Sequence, residues 1–175
     1  MPNHRIDLKR LARHAMIDRG LWPDFSAKAM AELAQIRAAA TDQGPDVQDL
    51  RDLLWVSIDN DDSLDLDQIT VATEHPDHSV TLLVAIADVS HYVETGNAID
   101  IDAYERATSV YFPRRVIPML PEKLSNGLCS LNPEVERLCM VCDMLIAATG
   151  EIHAYQFYPA VMWSHARFTY TEVAA

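Results

Sequence analysis

The sequence predicts an α+β fold, in which an amino-terminal helical hairpin precedes a mixed α/β body. Apolar residues recur with a helical period over residues 5–19, whereas the chain after about residue 46 falls into short apolar or β-branched runs separated by polar loops. Apolar residues make up 49% and charged residues 23% of the 175 residues, an ordinary globular composition. One domain with a small appendage is therefore expected for a chain of this length.

Two helices are predicted near the amino terminus. Gly20 stands where a terminator of the first helix belongs, and Ser26 is expected to cap a second helix that runs to about residue 39. In the second helix we expect Met30 and Leu33 to point inward. In the first helix, five apolar residues share one face: Leu8, Leu11, Ala12, Ala15 and Met16.

The main body is predicted to begin after a linker, the stretch TDQGPD at residues 41–46, which interrupts the helical pattern with glycine and proline. A β-hairpin is expected to turn at Gly150. Other apolar runs predict strands and one run predicts a helix: strands at 53–58, 68–72 and 79–89, and a helix at 98–108. We therefore assign residues 1–44 to the helical hairpin with its linker and residues 45–175 to the body.

Charge and cysteine content limit the partners and the compartment. The net charge of -12 repels nucleic acid and anionic membranes at long range, so any contact with nucleic acid must be local or assisted by metal. The sequence contains neither an apolar stretch of membrane-spanning length nor the apolar core of a secretion signal near its start. Three cysteines do not make a disulfide framework. We expect a cytoplasmic protein without membrane contact, and we take it to be a monomer.

The run SIDNDDSLDLDQ, residues 57–68, places five aspartates directly after a predicted strand. A solvated acidic loop is the simplest interpretation, although Leu64 and Ile69 are expected to be buried on either side of the acidic residues. A calcium loop of the EF-hand type does not fit. Its sixth position is Leu64 where glycine is needed, its twelfth is Thr70 where glutamate is needed, and a strand precedes it.

A magnesium site for phosphate chemistry is the other interpretation of this run. Asp59 would project from the end of the strand, and alternation in an extended segment would send Asp65 and Asp67 to one face and Leu66 to the other. Carboxylate oxygens suit Mg²⁺, and two such ions about 4 Å apart can activate a water and stabilise a leaving oxygen. From the spacing alone, the solvated loop and the magnesium site both remain open.

Four segments in order make the chain similar to a known family. The segments are IDNDDSLDLDQ, VAIADVSHYV at 84–93, RATSVYFPRRVIPMLPEKLSNGLCSLNP at 106–133 and SHARFTYTEV at 164–173. From about residue 49 to residue 175 the sequence resembles the catalytic domain shared by ribonuclease II and ribonuclease R. The resemblance implies an exoribonuclease that hydrolyses single-stranded RNA from its 3′ end. It would use Mg²⁺, with Mn²⁺ as the alternative, and would release nucleoside 5′-monophosphates.

The resemblance also implies roles for single residues. Asp59, Asp65 and Asp67 match the first three catalytic aspartates, which would hold metal. Gln68 stands where the family has a fourth aspartate; its carboxamide oxygen can still bind metal, but the site loses one negative charge. The alternative function is therefore a catalytically impaired, RNA-binding relative.

Candidates for RNA contact lie further along the chain. Tyr111 matches a tyrosine that stacks on a base near the RNA 3′ end, with a buried strand aromatic as the alternative. Tyr170 resembles a tyrosine near the terminal ribose. Arg114 and Arg115 are candidates for phosphate contact, with a surface role as the alternative.

Two further expectations concern the ends of the chain. The family's catalytic domain is longer than this sequence, so we expect the chain to stop inside the domain, either as one portion of a longer protein or as a natural remnant. We also expect the 175 residues alone to degrade RNA poorly. The helical hairpin is basic in an otherwise acidic chain. It is interpreted either as a nucleic-acid-binding or docking module or as a structural cap.

Overall fold

The computed structural model describes residues 7–112 and 115–175, without the side chain of Arg115. The described helices are α1 (Leu8–Ile17), α2 (Ala27–Gln35), α3 (Ala98–Arg106) and α4 (Tyr170–Val173). The strands are β1 (Gln48–Asp49), β2 (Trp55–Asp59), β3 (Gln68–Glu74), β4 (Val80–Ala87), β5 (Val110–Phe112), β6 (Arg115–Ile117), β7 (Glu136–Ile146) and β8 (Ile152–Thr169). This mixture of helices and a dominant sheet confirms the α+β prediction. None of the described helices has the length and apolar character needed to cross a membrane.

The chain forms two compact units. The first comprises Met1–Arg37 and Val93–Glu122, and the second comprises Ala38–Tyr92 and Lys123–Ala175. The first unit thus groups the amino-terminal helices with a segment from the middle of the chain. The sequence-based boundary after residue 44 between a helical hairpin and a catalytic body stays a prediction.

The second amino-terminal helix has the predicted N-cap, but one of its two residues predicted to point inward is exposed. The Ser26 hydroxyl accepts a hydrogen bond from the Ala29 amide at the start of α2, as expected of an N-cap. Met30, which was expected to point inward, is exposed, whereas Ala29 and Leu33 are buried. Residues four apart share a face, and residue 30 is turned about 100° away from residue 29.

The first helix contributes less to the core than its pattern predicts. Met16 is buried, but Leu8 and Leu11 remain exposed on the face that the five apolar residues share. The helix therefore packs only near its carboxyl end.

Polar contacts connect α2 and α3 within the first unit. The Glu32 carboxylate accepts hydrogen bonds from the Ala98 and Ile99 amides at the start of α3, where helices expose unpaired donors. The buried Arg106 donates to the Trp22 and Pro118 carbonyls, and its guanidinium lies 4.0 Å from the centre of the Phe25 ring. These contacts join the amino-terminal helices to α3, and the choice between a docking module and a structural cap stays open.

The second unit is built on one six-stranded sheet with the order β1-β8-β2-β3-β4-β7. Strand β7, at one end of this order, also pairs with β8, so that β8, β2, β3, β4 and β7 form a closed circuit of paired strands. The pairings of β8 with β1 and β2 are parallel and the others are antiparallel. The β7–β8 hairpin turns at Gly150, which has a φ of 87°, confirming the predicted turn.

Most of the residues predicted to bind metal or RNA lie at one end of this circuit of strands. The parallel strands β2 and β8 finish together there, with Asp59 paired to Thr169. Strand β3 starts at the same end, and Ala87 at the end of β4 donates its amide to the Asp67 carbonyl at 2.9 Å. We call this end, comprising residues 59–68 and 169–170, the aspartate edge.

Candidate active site

Asp59 is the last residue of β2, where the strand gives way to the acidic run. Its Oδ1 accepts hydrogen bonds from the Asn60 amide and the Ser63 hydroxyl, both at 2.7 Å. In the antiparallel β2–β3 pair, Val56 lies opposite Thr70. Continuing that register for three residues brings position 59 opposite position 67. The β2–β3 pairing therefore brings the backbone of residue 67 back beside Asp59 after the loop.

Asp65 and Asp67 alternate with Leu66, as the sequence predicts. Both aspartates are exposed, and Leu66 is only 2% exposed. The prediction that Leu64 is buried is wrong, because its side chain is 63% exposed. The chain turns at residues 61–62, and the segment reaches the core only at Leu66. The acidic run is thus anchored by a single leucine and presents aspartates on both sides of it.

The three aspartates influence one another electrostatically. Surrounding protein atoms partly desolvate the Asp67 carboxyl, which raises its pKa although the residue as a whole is exposed, and the negative charges of Asp65 and Asp59 raise it further. A bound cation would relieve this repulsion, and hard carboxylate oxygens fit Mg²⁺ or Mn²⁺. Within residues 7–112 and 115–175, however, no three His, Cys, Asp or Glu side chains are already grouped as a metal-binding set. The donor chemistry fits a divalent ion, whereas the side chains are not arranged around one.

Gln68 opens β3 directly after Asp67. Its backbone pairs with Ile86 of β4, and its side chain is exposed. The carboxamide therefore lies at the aspartate edge, where the resemblance expects a fourth carboxylate.

Tyr170 follows the residue that pairs with Asp59. It is the first residue of α4, its side chain is exposed, and α4 contacts β2. Thr169 and Glu172 form a reciprocal capping box that fixes the start of this short helix. The structure therefore brings Tyr170 to the aspartate edge.

The remaining predicted RNA contacts belong to the first unit. Tyr111 lies on β5 and is 69% exposed, which contradicts the alternative of a buried strand aromatic. Arg114 lies outside the described residues. Arg115 pairs through its backbone with Phe112, but its side chain is not described.

Arg167 holds the acidic run and was missed as a functional candidate. Its Nη2 donates to the Asn60 carbonyl at 2.6 Å and to the Asp61 carbonyl at 2.7 Å. A guanidinium at this position adds positive charge beside five aspartates and fixes the first residues after Asp59. The residue stands in one of the family-like segments, but its backbone partners lie far away in sequence.

Ser130 was missed as well, although it lies in another family-like segment. The buried hydroxyl contacts the backbone on both sides of Asp65, at Leu64 and at Leu66. Local pattern gives no signal for such a contact, because the partners are more than sixty positions apart.

Asp88 and His91 contact each other just after β4. Asp88 Oδ1 accepts from the Ser90 amide and hydroxyl, and Asp88 Oδ2 lies 3.4 Å from His91 Nε2. These contacts fix the turn that follows β4.

The three cysteines lie within the described residues and are free thiols. Burial raises the pKa of Cys139 to about 12 and that of Cys129 to about 11, so both stay protonated at neutral pH. Cys142 is less buried than Cys139, as expected for two residues three apart on a strand. They serve as packing residues.

Comparison with known proteins supports the motif-based resemblance. The RNB domain family model matches residues 47–175. Ribonuclease R of Vibrio parahaemolyticus is 48% identical over 154 residues, covering 88% of this chain and 18% of that protein. Ribonuclease R of Escherichia coli K12 is 49% identical over 153 residues, covering 87% of this chain and 19% of that protein. The chain thus spans about a fifth of the length of these two relatives.

A solved structure shows the same fold. Mycoplasma genitalium RNase R in complex with double-stranded RNA superposes with a TM-score of 0.88 at 34% sequence identity, covering 97% of this chain and 30% of that one. The family model covers most of the chain, and the motifs, the relatives and the fold agree. The chain belongs to the RNB domain family.

Proposed function

We propose that the full-length gene product containing this chain is a metal-dependent exoribonuclease. It hydrolyses single-stranded RNA from the 3′ end and releases nucleoside 5′-monophosphates. The observation that carries this proposal is the position of Asp59, Asp65 and Asp67 at the aspartate edge, where desolvation and then the charges of Asp65 and Asp59 raise the pKa of Asp67. Membership of the RNB domain family supports the same reaction.

Four residues of the aspartate edge would bind the metal through side-chain oxygens. Asp59, Asp65 and Asp67 would supply carboxylate oxygens, and Gln68 would supply a neutral carboxamide oxygen. When bound, Mg²⁺ or Mn²⁺ supplies a Lewis acid that lowers the pKa of a water and offsets the charge of the phosphate. Leu66, which is buried in the core, lies between Asp65 and Asp67 and fixes the backbone of both. The resemblance to the family makes Asp67 the aspartate whose loss should slow hydrolysis most.

Substrate binding needs local contacts, because the acidic chain repels RNA at long range. The exposed ring of Tyr111 offers a face for base stacking, which does not depend on base identity. Tyr170 would contact the terminal ribose beside Asp59, and Arg114 and Arg115 would contact phosphates. An enzyme with these contacts accepts many RNA sequences and acts at the 3′ end of the RNA.

The test is a time course on 5′-labelled single-stranded RNA in Mg²⁺. The full-length parent should give a ladder of stepwise shortened products together with nucleoside 5′-monophosphates. Asp67→Asn should abolish the ladder. Asp62→Asn, which removes an exposed carboxylate from the same run, should leave it intact. Degradation by Asp67→Asn at the rate of the parent would refute the assignment.

The second candidate function is RNA binding without hydrolysis, and Gln68 is the observation that favours it. An exposed carboxamide stands at the aspartate edge where the resemblance expects a carboxylate. If the parent shows no hydrolysis in Mg²⁺ or Mn²⁺ while Gln68→Asp does, the natural sequence is the impaired relative. If the parent is active, this candidate is rejected.

A further inference from the structure

We propose that Ser130 is a positioning residue that holds the backbone of residues 64–67 in the geometry needed for metal binding. The inference rests on the proposed function, because it assigns a supporting role to a residue that would touch neither metal nor RNA. Ser130 lies in the segment between the first unit and β7 and is fully buried, with 0% exposure.

The Ser130 hydroxyl bridges two backbone groups of the acidic run. Its Oγ accepts a hydrogen bond from the Leu66 amide at 3.1 Å and donates one to the Leu64 carbonyl at 3.0 Å. The next residue, Leu131, donates its amide to the Leu66 carbonyl at 2.7 Å. Together these bonds fix the chain on both sides of Asp65 and directly before Asp67.

A serine is well suited to this position. The segment 64–67 precedes β3, so neither the Leu64 carbonyl nor the Leu66 amide belongs to a strand ladder. One hydroxyl can accept from the amide and donate to the carbonyl at the same time, which alanine cannot do. Buried backbone groups left without partners are costly, so removal of the hydroxyl should move the segment.

Ser130 is itself held by β7. Arg137 Nε donates to the Ser130 carbonyl at 3.1 Å, and Arg137 Nη2 donates to the Gly127 carbonyl at 3.1 Å. The preceding turn, Lys123–Leu128, is a π-helix, and the Cys129 amide donates to the Leu124 carbonyl at its end. The contacts therefore run from β7 through Arg137 and Ser130 to the backbone beside Asp65 and Asp67.

Such support is needed because the aspartates repel one another. Leu66 fixes one side chain of the run, and the mutual charge of Asp59, Asp65 and Asp67 favours their separation. A backbone clamp limits the movement of the segment that carries Asp65 and Asp67, which lowers the cost of ordering their carboxylates around a cation. Without the clamp, metal binding should weaken and hydrolysis should slow, whereas RNA binding through Tyr111 should be retained.

A matched control variant distinguishes the proposed positioning role of Ser130 from a purely structural role. Ser164 of β8 is also 0% exposed, but its hydroxyl has no hydrogen-bond partner among the described residues. Ser164→Ala removes the same atom from an equally buried site without releasing the acidic run. Ser130→Cys keeps the shape of the side chain with a larger sulfur atom and weakens the hydrogen bonds, and it takes the place of Ser130→Ala if the alanine variant does not fold.

The experiment compares the full-length parent with Ser130→Ala, Ser130→Cys and Ser164→Ala. Three quantities are measured: Mn²⁺ affinity by electron paramagnetic resonance, hydrogen exchange of the peptide that contains Leu66, and kcat and KM for single-stranded RNA. In Ser130→Ala we expect about tenfold weaker Mn²⁺ binding and about tenfold faster exchange confined to that peptide, as for loss of a buried hydrogen bond. We also expect kcat to fall with KM unchanged. Ser130→Cys should fall between Ser130→Ala and the parent, and Ser164→Ala should match the parent.

Parent-like Mn²⁺ affinity and Leu66 exchange in Ser130→Ala would overturn the inference, as would faster exchange spread over the whole second unit. An inactive parent would instead reject the proposed function. In that case the metal affinity and the exchange of the Leu66 peptide still decide the role of Ser130.

Discussion

Replacing Leu66 by alanine should destabilise the protein far more than the same change at Leu64, two residues earlier in the acidic run. Leu66 is 2% exposed and Leu64 is 63% exposed. Removing a fully buried leucine side chain loses both its transfer free energy and the packing around the cavity, about 3 kcal/mol in total. An exposed leucine has little burial to lose, so Leu64→Ala should change the free energy of unfolding by less than about 0.5 kcal/mol.

The assay is urea denaturation of the metal-free protein at pH 7, followed by a titration with Mn²⁺. Leu66→Ala should also bind Mn²⁺ more weakly than Leu64→Ala, because Leu66 is the apolar anchor between Asp65 and Asp67. Equal destabilisation by the two substitutions, or a larger effect at Leu64, would refute the claim that the run is anchored at Leu66.

Three other predictions concern the acidic run and the RNA contacts. Because burial and then the charges of its neighbours raise the folded-state pKa of Asp67, its ionisation opposes folding. Asp67→Asn should therefore stabilise the metal-free protein at pH 7, and the difference should vanish as the pH falls below the ordinary value of 3.8; a difference that grows with acidification would contradict this sign. Arg167→Met should lower the free energy of unfolding by about 1 kcal/mol and speed hydrogen exchange around Asn60 and Asp61, whose carbonyls lose their donor. Unchanged exchange there would show that Arg167 does not hold the loop. Tyr111→Ala should raise the Kd for single-stranded RNA about tenfold, whereas Tyr111→Phe should keep the parent's affinity because stacking needs only the ring. An equal loss in both variants would point to the hydroxyl instead.

Local patterns were sufficient for much of the aspartate edge. Alternation around Leu66 placed Asp65 and Asp67 on the exposed side, and the position of Asp59 at a strand end followed from the apolar run before it. The serine cap at residue 26 and the turn at Gly150 were also predictable, because each depends on the conformational preference of one residue and its immediate neighbours.

The wrong predictions of burial and the missed functional residues have a common physical cause. Leu64 and Met30 are apolar residues in plausible inward positions, but the neighbouring elements do not cover them. The partners of Ser130 and Arg167 are backbone groups 64 to 107 positions away, and backbone groups leave no mark in the residue sequence. Tertiary packing determines which residues make such contacts, and the periodicity of apolar residues along the chain carries no information about tertiary packing.

Asp59, Asp65 and Asp67 are proposed to bind the metal that hydrolysis uses. The direct measurement is the initial rate of nucleoside 5′-monophosphate release as a function of Mg²⁺ concentration. It should be made for the full-length parent, Asp67→Asn and Asp62→Asn. The parent and Asp62→Asn should show the same saturating dependence, and Asp67→Asn should release no product at any Mg²⁺ concentration. A rate for Asp67→Asn that saturates at the level of the parent would contradict the account.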